Sequence, residues 1–209
     1  MDFTAARKAM VDSQVRVNDV TDRDLQTAML GVEREAFCPP ERAYAAYVEG
    51  SVEIAGDRRL MPARDVAKLL QAAEAKAGER VLAIAAPYAA AVLAAMGLKA
   101  TAQEADQAVF DVVGEALAKA GVETALAPLD QPVGENWDLI VCEGGVPAIP
   151  PAWGAALRPG GRMVLVERTG AVGKASLFIK GRDALSRREL FDSSPAILTA
   201  LAPAPTFAL

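Results

Sequence analysis

An alternation of apolar strand-like segments and helical segments, beginning at Arg80, constrains the fold of this chain more than any other feature. Residues 80–86 (RVLAIAA) and 137–145 (WDLIVCEGG) are apolar runs, and residues 106–120 between them carry valine, alanine and leucine at helical spacing. Continuous apolar strands are typical of parallel sheets that are covered on both faces. The alternation therefore predicts an α/β fold with a doubly wound, mostly parallel sheet of about seven strands.

The segments on either side of this alternation predict two additions to the sheet. Residues 1–77 carry helical patterns, including a helix over residues 64–77 closed by Gly78, and predict an N-terminal helical elaboration. Residues 78–209 are then the α/β core of one compact domain. Two β-like runs around residues 181–183 predict an antiparallel hairpin at the sheet edge, and residues 205–209 (PTFAL) predict one more short strand.

The composition excludes several classes of function. The 209 residues include no histidine, which excludes serine–histidine–aspartate catalysis and histidine metal sites. With only Cys38 and Cys142, both expected to be reduced thiols, no metal site is predicted. A net charge of −5 opposes general nucleic-acid binding. With neither a secretory leader nor a membrane-spanning run in the sequence, we expect a cytoplasmic protein that does not insert into membranes.

The turn between the first strand and its helix lacks the residues that bind nucleotides. Phosphate- and nucleoside-binding turns use glycine because the backbone takes positive φ and passes close to the ligand. Here the turn is Ala85–Ala86–Pro87–Tyr88, with neither glycine nor an acid. Alanine adds a Cβ and proline removes an N–H donor. If the backbone conformation at this turn suits alanine, alanine in place of glycine is expected to stabilise the fold by about 0.4–1 kcal/mol.

Three segments resemble those of one enzyme family. Residues 10–47 (MVDSQVRVNDVTDRDLQTAMLGVEREAFCPPERAYAAY), 77–85 (AGERVLAIA) and 157–166 (LRPGGRMVLV) are similar to blocks of the protein-L-isoaspartate O-methyltransferases. The likeness covers roughly the whole chain, and the N-terminal block is its specific part. The resemblance implies a Rossmann-like class I methyltransferase fold and S-adenosylmethionine as the family's methyl donor.

The resemblance also assigns cofactor positions, several of them altered. Ala83 stands where the family has the acid that ends the first strand, Ala85 stands at the first loop glycine, and Pro87-Tyr88 matches the closing Gly-Tyr. Glu104 falls where the family's acid binds the ribose hydroxyls, and Asp130 falls near the adenine. The residues alone are equally compatible with a helix N-terminal acid at Glu104 and a turn aspartate at Asp130.

The substrate side departs from the family as well. The family's substrate-contacting hydroxyl is missing from residues 57–65 (DRRLMPARD), where Leu60-Met61-Pro62 stands instead. Side chains that remain candidates for contacting a carboxylate substrate are Arg58, Arg59 and Arg64. Glu143, with Gly144, follows the apolar run that begins at residue 137 and is a candidate polar contact at the carboxyl edge of the sheet. No catalytic residue is assigned.

Three hypotheses for the function follow. The leading one is a non-catalytic member of the family that needs no cofactor and acts by binding a protein partner or its own copy. The alternative is an active S-adenosylmethionine-dependent L-isoaspartyl carboxyl methyltransferase that holds its donor through Glu104 and Asp130. A third is a residual pocket for another small molecule. A Tyr88 side chain that fills the donor pocket favours the first, and an open cavity beside Glu104 favours the second.

Overall fold

The computed structural model describes residues 1–182 and 184–202. Within them the α-helices are α1 Phe3–Met10, α2 Arg23–Gly31, α3 Ala63–Ala73, α4 Pro87–Ala95, α5 Gln107–Lys119 and α6 Pro151–Ala156. The strands are β1 Val52–Ala55, β2 Arg58–Leu60, β3 Arg80–Ile84, β4 Lys99–Glu104, β5 Glu123–Leu126, β6 Trp137–Val146, β7 Leu157–Glu167, β8 Gly173–Lys180 and β9 Leu185–Ser193. Short helical turns cover Val11–Val15, Arg16–Asn18, Arg34–Phe37, Pro40–Ala45 and Thr199–Leu201.

Seven strands form the main sheet, in the order β5-β4-β3-β6-β7-β8-β9. The pairs from β5 to β7 are parallel, and β7–β8 and β8–β9 are antiparallel. The predicted fold class is confirmed, with the apolar run of residues 137–145 as the central strand β6. The antiparallel hairpin β8–β9 is present, although Asp183 in its connection and the strand predicted at residues 205–209 lie outside the described residues.

The interpretation of residues 1–77 as helical is wrong at residues 52–60, which form the antiparallel hairpin β1–β2. Val52 and Ile54 are buried while Glu53 between them is exposed, which is the two-residue period of a strand with one buried face. Gly56 supplies the turn with φ of +56°. This hairpin places Arg58 beside the carboxyl end of β4.

Helix α3 ends at Ala73, four residues before the predicted end at residue 77. Glu74 takes a left-handed conformation with φ of +48°, and its N–H donates to the Gln71 carbonyl at 3.1 Å, which closes the helix. Gly78, predicted as the cap, instead donates its N–H to the Gly97 carbonyl at 2.9 Å. That bond ties the start of β3 to the end of α4.

The N-terminal helices share one apolar core with the sheet. Leu25 and Met29 of α2 belong to the same buried cluster as Leu69 of α3 and Val92 of α4. Helix α4 is buried on every side over residues 87–93, because the sheet covers one face and the N-terminal segment the other. The boundary between residues 77 and 78 stays a prediction. Over residues 1–182 and 184–202, none of the helices is long and apolar enough to cross a membrane.

Candidate functional site

The turn after β3 is shorter than the sequence suggested, because Pro87 is already the first residue of α4. Proline suits this position, where no intrahelical N–H is needed. Only Ala85 and Ala86 connect the two elements, and the Ala85 N–H donates to the Gln103 carbonyl at 2.9 Å. Ala85 has φ of +52°. The expected stabilisation by alanine is therefore wrong here, since a Cβ in the left-handed region costs about 1 kcal/mol.

The side chains of Ala83 and Tyr88 are both part of the core. Ala83 is fully buried between Ala102 of β4 and Val141 of β6. Tyr88 is fully buried as well, and its ring meets the Phe37 ring edge-on at a centroid distance of 5.5 Å. Tyr88 thus packs against the N-terminal segment. Its hydroxyl has no hydrogen-bond partner among the described residues, and burial raises its pKa to about 12.

Glu104, at the end of β4, is bound by a side chain of this same protein. Its Oε2 and Oε1 accept hydrogen bonds from Arg58 Nε at 2.9 and 3.2 Å, and both residues are buried. Burial raises the pKa of Glu104 to about 7, although the Arg58 guanidinium opposes that shift. The carboxylate that the resemblance assigns to ribose hydroxyls is therefore occupied by an arginine of the β1–β2 hairpin.

Glu143 occupies the N-terminus of α4. Its Oε1 accepts a hydrogen bond from the Ala89 N–H at 2.7 Å, where the helix dipole favours negative charge. Glu143 is buried at the carboxyl end of β6, as the sequence indicated. Burial raises its pKa to about 7, while nearby Arg34 and the Ala89 N–H oppose the rise. Anions commonly bind at such a helix N-terminus, and here the Glu143 carboxylate of the same chain occupies it.

Residues 194–201, here called the C-terminal strap, cross the carboxyl edge of the sheet. Gly145 on β6 accepts a hydrogen bond from the Leu198 N–H at 2.9 Å and lies in a parallel bridge with residue 197. Thr199 donates its N–H to Asp57 Oδ2 at 3.0 Å, and its hydroxyl donates to the same oxygen. The strap covers the crevice in which open α/β sheets bind their ligands.

The space beneath the strap beside Glu143 is small. The cavity there measures about 10 Å³, and its walls include Leu60, Met61, Glu143, Gly144 and Leu198. Pockets for drug-sized ligands and cofactors occupy roughly 300–1,000 Å³, whereas ~10–15 Å³ accommodates one water molecule. The space beside Glu143 therefore has room for one water molecule, whereas a second cavity of about 340 Å³ has walls that include Ala105, next to Glu104 in the chain, and Ala200 of the strap.

The remaining candidate residues make no hydrogen bond to Glu104 or Glu143 within the described residues. Asp130 is exposed in the connection after β5, on a shallow cavity of about 340 Å³ that Ala105 also lines. Arg59 forms an ion pair with Glu53 at 3.7 Å, and Arg64 forms one with the neighbouring Asp65 at 2.8 Å. The structure brings together Arg58, Tyr88, Glu104 and Glu143. Arg59 lines the small cavity beside Glu143, and Asp130 and Arg64 lie at other positions.

Arg34 is a member of the cluster that the sequence analysis missed. It is fully buried, its guanidinium lies 4.6 Å from the centroid of the Tyr88 ring, and its Nε donates to the Ala46 carbonyl at 2.7 Å. Its Nη2 donates to the Met61 carbonyl. Arg34 stands three residues before the buried Phe37, a spacing that places both on one side of a short helical turn. That spacing was the available sequence signal.

The seven-stranded sheet has a Rossmann-like class I methyltransferase fold, because a solved protein-L-isoaspartate O-methyltransferase superposes on this chain with a TM-score of 0.76 at 18% identity, covering 91% of this chain and 65% of that one. Residues 5–126 match the family model described as protein-L-isoaspartate(D-aspartate) O-methyltransferase (PCMT). A protein-L-isoaspartate O-methyltransferase of Methylorubrum populi is 35% identical over 167 residues, covering 77% of this chain and 79% of the relative. One of Methylorubrum extorquens is 33% identical, with coverages of 90% and 86%. The chain belongs to the PCMT family, as the N-terminal block predicted.

A solved structure of similar fold comes from Plasmodium falciparum. It is described as a protein-L-isoaspartate O-methyltransferase in complex with S-adenosyl-L-homocysteine, the demethylated form of the family's methyl donor. It superposes with a TM-score of 0.78 at 15% identity, covering 92% of this chain and 97% of that one. At this identity the likeness establishes the shared fold.

Proposed function

We propose that this chain is a non-catalytic member of the PCMT family that does not bind S-adenosylmethionine and acts by binding a protein partner or a second copy of itself. The observation that carries the proposal is the buried ion pair between Arg58 and Glu104, with 2.9 Å between Nε and Oε2. Glu104 is the acid that the family resemblance assigns to the donor's ribose, and here its hydrogen bonds are made with the protein.

The energetic cost of releasing Glu104 supports this proposal. A ribose can bind Glu104 only if Arg58 withdraws from it, which leaves the buried guanidinium with Asp57 alone, 3.4 Å from its Nη1. Breaking a buried ion pair costs roughly 3–5 kcal/mol when the remaining charge has no partner, and the contact with Asp57 places the cost here at the lower end. At ~1.4 kcal/mol per factor of ten, donor affinity falls by about a hundredfold.

The turn after β3 adds a second obstacle to donor binding. Pro87 has no N–H to offer a ligand, and the Ala89 N–H is already bonded to Glu143. The methyl group of Ala85 stands where the family's glycine lets the backbone approach the donor. Together these contacts support the proposal that the chain does not bind S-adenosylmethionine.

The alternative is an active S-adenosylmethionine-dependent carboxyl methyltransferase, which the names of the relatives favour. It requires that Arg58 leave Glu104 and that the donor occupy the cavity of about 340 Å³ beside Ala105, whose volume falls within the range for cofactor pockets. Asp130 would then contribute from the cavity next to Ala105.

A methyl-transfer assay separates the two. Radiolabelled S-adenosylmethionine and an isoaspartyl peptide are incubated with the folded chain and, as the positive control, with the Methylorubrum populi relative. We expect methyl transfer at least a thousandfold below the control, with a cooperative thermal transition proving that the chain is folded. Transfer within tenfold of the control would establish the enzyme and refute the proposal.

A further inference from the structure

A groove of about 880 Å³ runs between α5 and the N-terminal segment, away from the crevice at the sheet edge. We call it the α5 groove. One wall is the outer side of α5, the other is the segment that contains Val32 and Phe37, and the small residues Ala91 and Ala95 of α4 lie between them. Its volume is that of a binding site and its lining is largely apolar.

Helix α5 presents two apolar stripes, and the second one lines this groove. Val109, Val113 and Leu117 are buried against the sheet. Val112 and Ala116 are half-buried, and they stand on the side that lines the groove. Because alanine side chains are short, a helix laid along this stripe can approach α5 closely.

The charges along the groove select the partner. Three glutamates and one lysine line it, and Lys119 is paired with Glu33 at 2.5 Å. Glu35 is paired with Arg7 at 3.1 Å. Glu115 is exposed and forms no ion pair within residues 1–182 and 184–202. The lining is net negative on a chain of net charge −5, which repels anionic ligands such as fatty acids and attracts cationic segments.

We propose that the α5 groove binds an amphipathic helix of a protein partner, whose apolar face packs on Val112 and Ala116 and whose lysines or arginines meet Glu115. This inference rests on the proposed protein-binding role. From Val112 to Ala120 the groove follows α5 for roughly 12 Å, at 1.5 Å per residue, which matches about two turns of a docked helix. Helix-in-groove recognition uses such apolar anchors at helical spacing.

The probe for the test is a fluorescein-labelled 14-residue peptide with leucines on one helical face and lysines on the other, followed by fluorescence anisotropy. Its counterpart carries glutamate in place of every lysine. We expect the lysine peptide to bind and the glutamate peptide to bind at least tenfold more weakly. Ala116→Trp fills the groove and is expected to weaken binding at least tenfold, whereas Ala118→Trp, on the exposed side of α5, leaves it unchanged.

Three further variants guard against misfolding and non-specific attraction. Gly31 lines the opposite wall, and a Cβ there meets nothing within 4 Å, so Gly31→Phe adds a large side chain to the groove with no clash at its Cβ. Glu115→Lys is expected to weaken binding by about fivefold, and the charge-matched Glu49→Lys, at an exposed position outside the groove lining, by less than twofold.

The inference is overturned if the lysine peptide fails to bind, or if both groove-filling variants bind it as wild type does. These results are independent of the methyl-transfer assay. An active enzyme with a functional α5 groove would refute the proposed function alone, and an inactive chain without peptide binding would refute the groove alone.

Discussion

Arg58 and Glu104 are 46 positions apart in the sequence, yet Arg58 Nε lies 2.9 Å from Glu104 Oε2, and both side chains are almost completely buried. The pair joins the β1–β2 hairpin to the carboxyl end of β4. It holds the hairpin over the crevice. The Glu104 carboxylate, which other members of the family are expected to use for binding the donor, is therefore part of an internal ion pair here.

Replacing Arg58 by methionine is expected to destabilise the protein by about 3–5 kcal/mol at pH 8, because the ionised Glu104 then stays buried without a counter-charge. Urea denaturation followed by circular dichroism measures this change. In the double variant R58M/E104M the cost should fall to within about 1 kcal/mol of wild type, since no charge remains buried. A single variant as stable as wild type would show that the pair does not form.

Stability is expected to fall as the pH rises from about 5 to 8. Glu104 and Glu143 both have pKa values raised to about 7 by burial, so the native state holds their protons where the unfolded chain has released them. The free energy of unfolding therefore decreases through this window, by up to roughly 3 kcal/mol per group. Urea denaturation at pH 5 and pH 8 measures the slope.

Glu143→Gln is the control for this pH dependence. Glutamine has nearly the same shape and does not ionise, so the variant should lose about half of the slope, and E104Q/E143Q nearly all of it. Carboxylates with lowered pKa values, among them Asp57 and Asp138, titrate below this window and do not mask the effect. If both substitutions leave the slope unchanged, Glu104 and Glu143 do not have the raised pKa values that the account gives them.

Tyr88 and Tyr47 offer a matched comparison of buried hydroxyls. The Tyr88 hydroxyl lacks a partner among the described residues, whereas that of Tyr47 accepts from Arg7 Nε at 3.0 Å and donates to Glu35. Tyr88→Phe is expected to be neutral or to stabilise by up to about 1 kcal/mol, and Tyr47→Phe to destabilise by about 1–3 kcal/mol. A loss above ~1 kcal/mol for Tyr88→Phe, measured by urea denaturation, would reveal a bound partner at that hydroxyl.

Gly144 allows the C-terminal strap to lie close to β6. A Cβ there would stand 2.7 Å from Leu198 Cδ2, and the residue has φ of +141°. Gly144→Ala is therefore expected to destabilise by about 1–3 kcal/mol and to loosen the strap, observed as faster amide exchange at Leu198. Gly114→Ala in α5, where a Cβ meets nothing within 4 Å, should instead stabilise by about 0.5–1 kcal/mol.

Local patterns predicted most of the sheet. The apolar runs that became β3 and β6, and the valine stripe of α5, stand out because burial on both faces or one face imposes a period on the sequence. The hairpin β1–β2 was missed since its strands are only four and three residues long. The alternation of Val52, Glu53 and Ile54 before Gly56 was the signal for it.

The site could be predicted only as far as single residues. The resemblance located Ala83, Ala85, Pro87, Tyr88 and Glu104, and residue types showed that the turn lacked glycine. The contacts that bear on donor binding join residues far apart in the chain, such as Glu143 and the Ala89 N–H, which are 54 positions apart. Such pairings depend on the tertiary fold, which local sequence patterns do not encode.

Calorimetric titration of the purified chain with S-adenosylmethionine and S-adenosylhomocysteine tests the central claim most directly. With Glu104 bonded to Arg58 and the Ala89 N–H bonded to Glu143, we predict no binding heat at millimolar ligand. Binding in the micromolar range, lost in Glu104→Ala, would contradict the account and show that Arg58 yields to the donor.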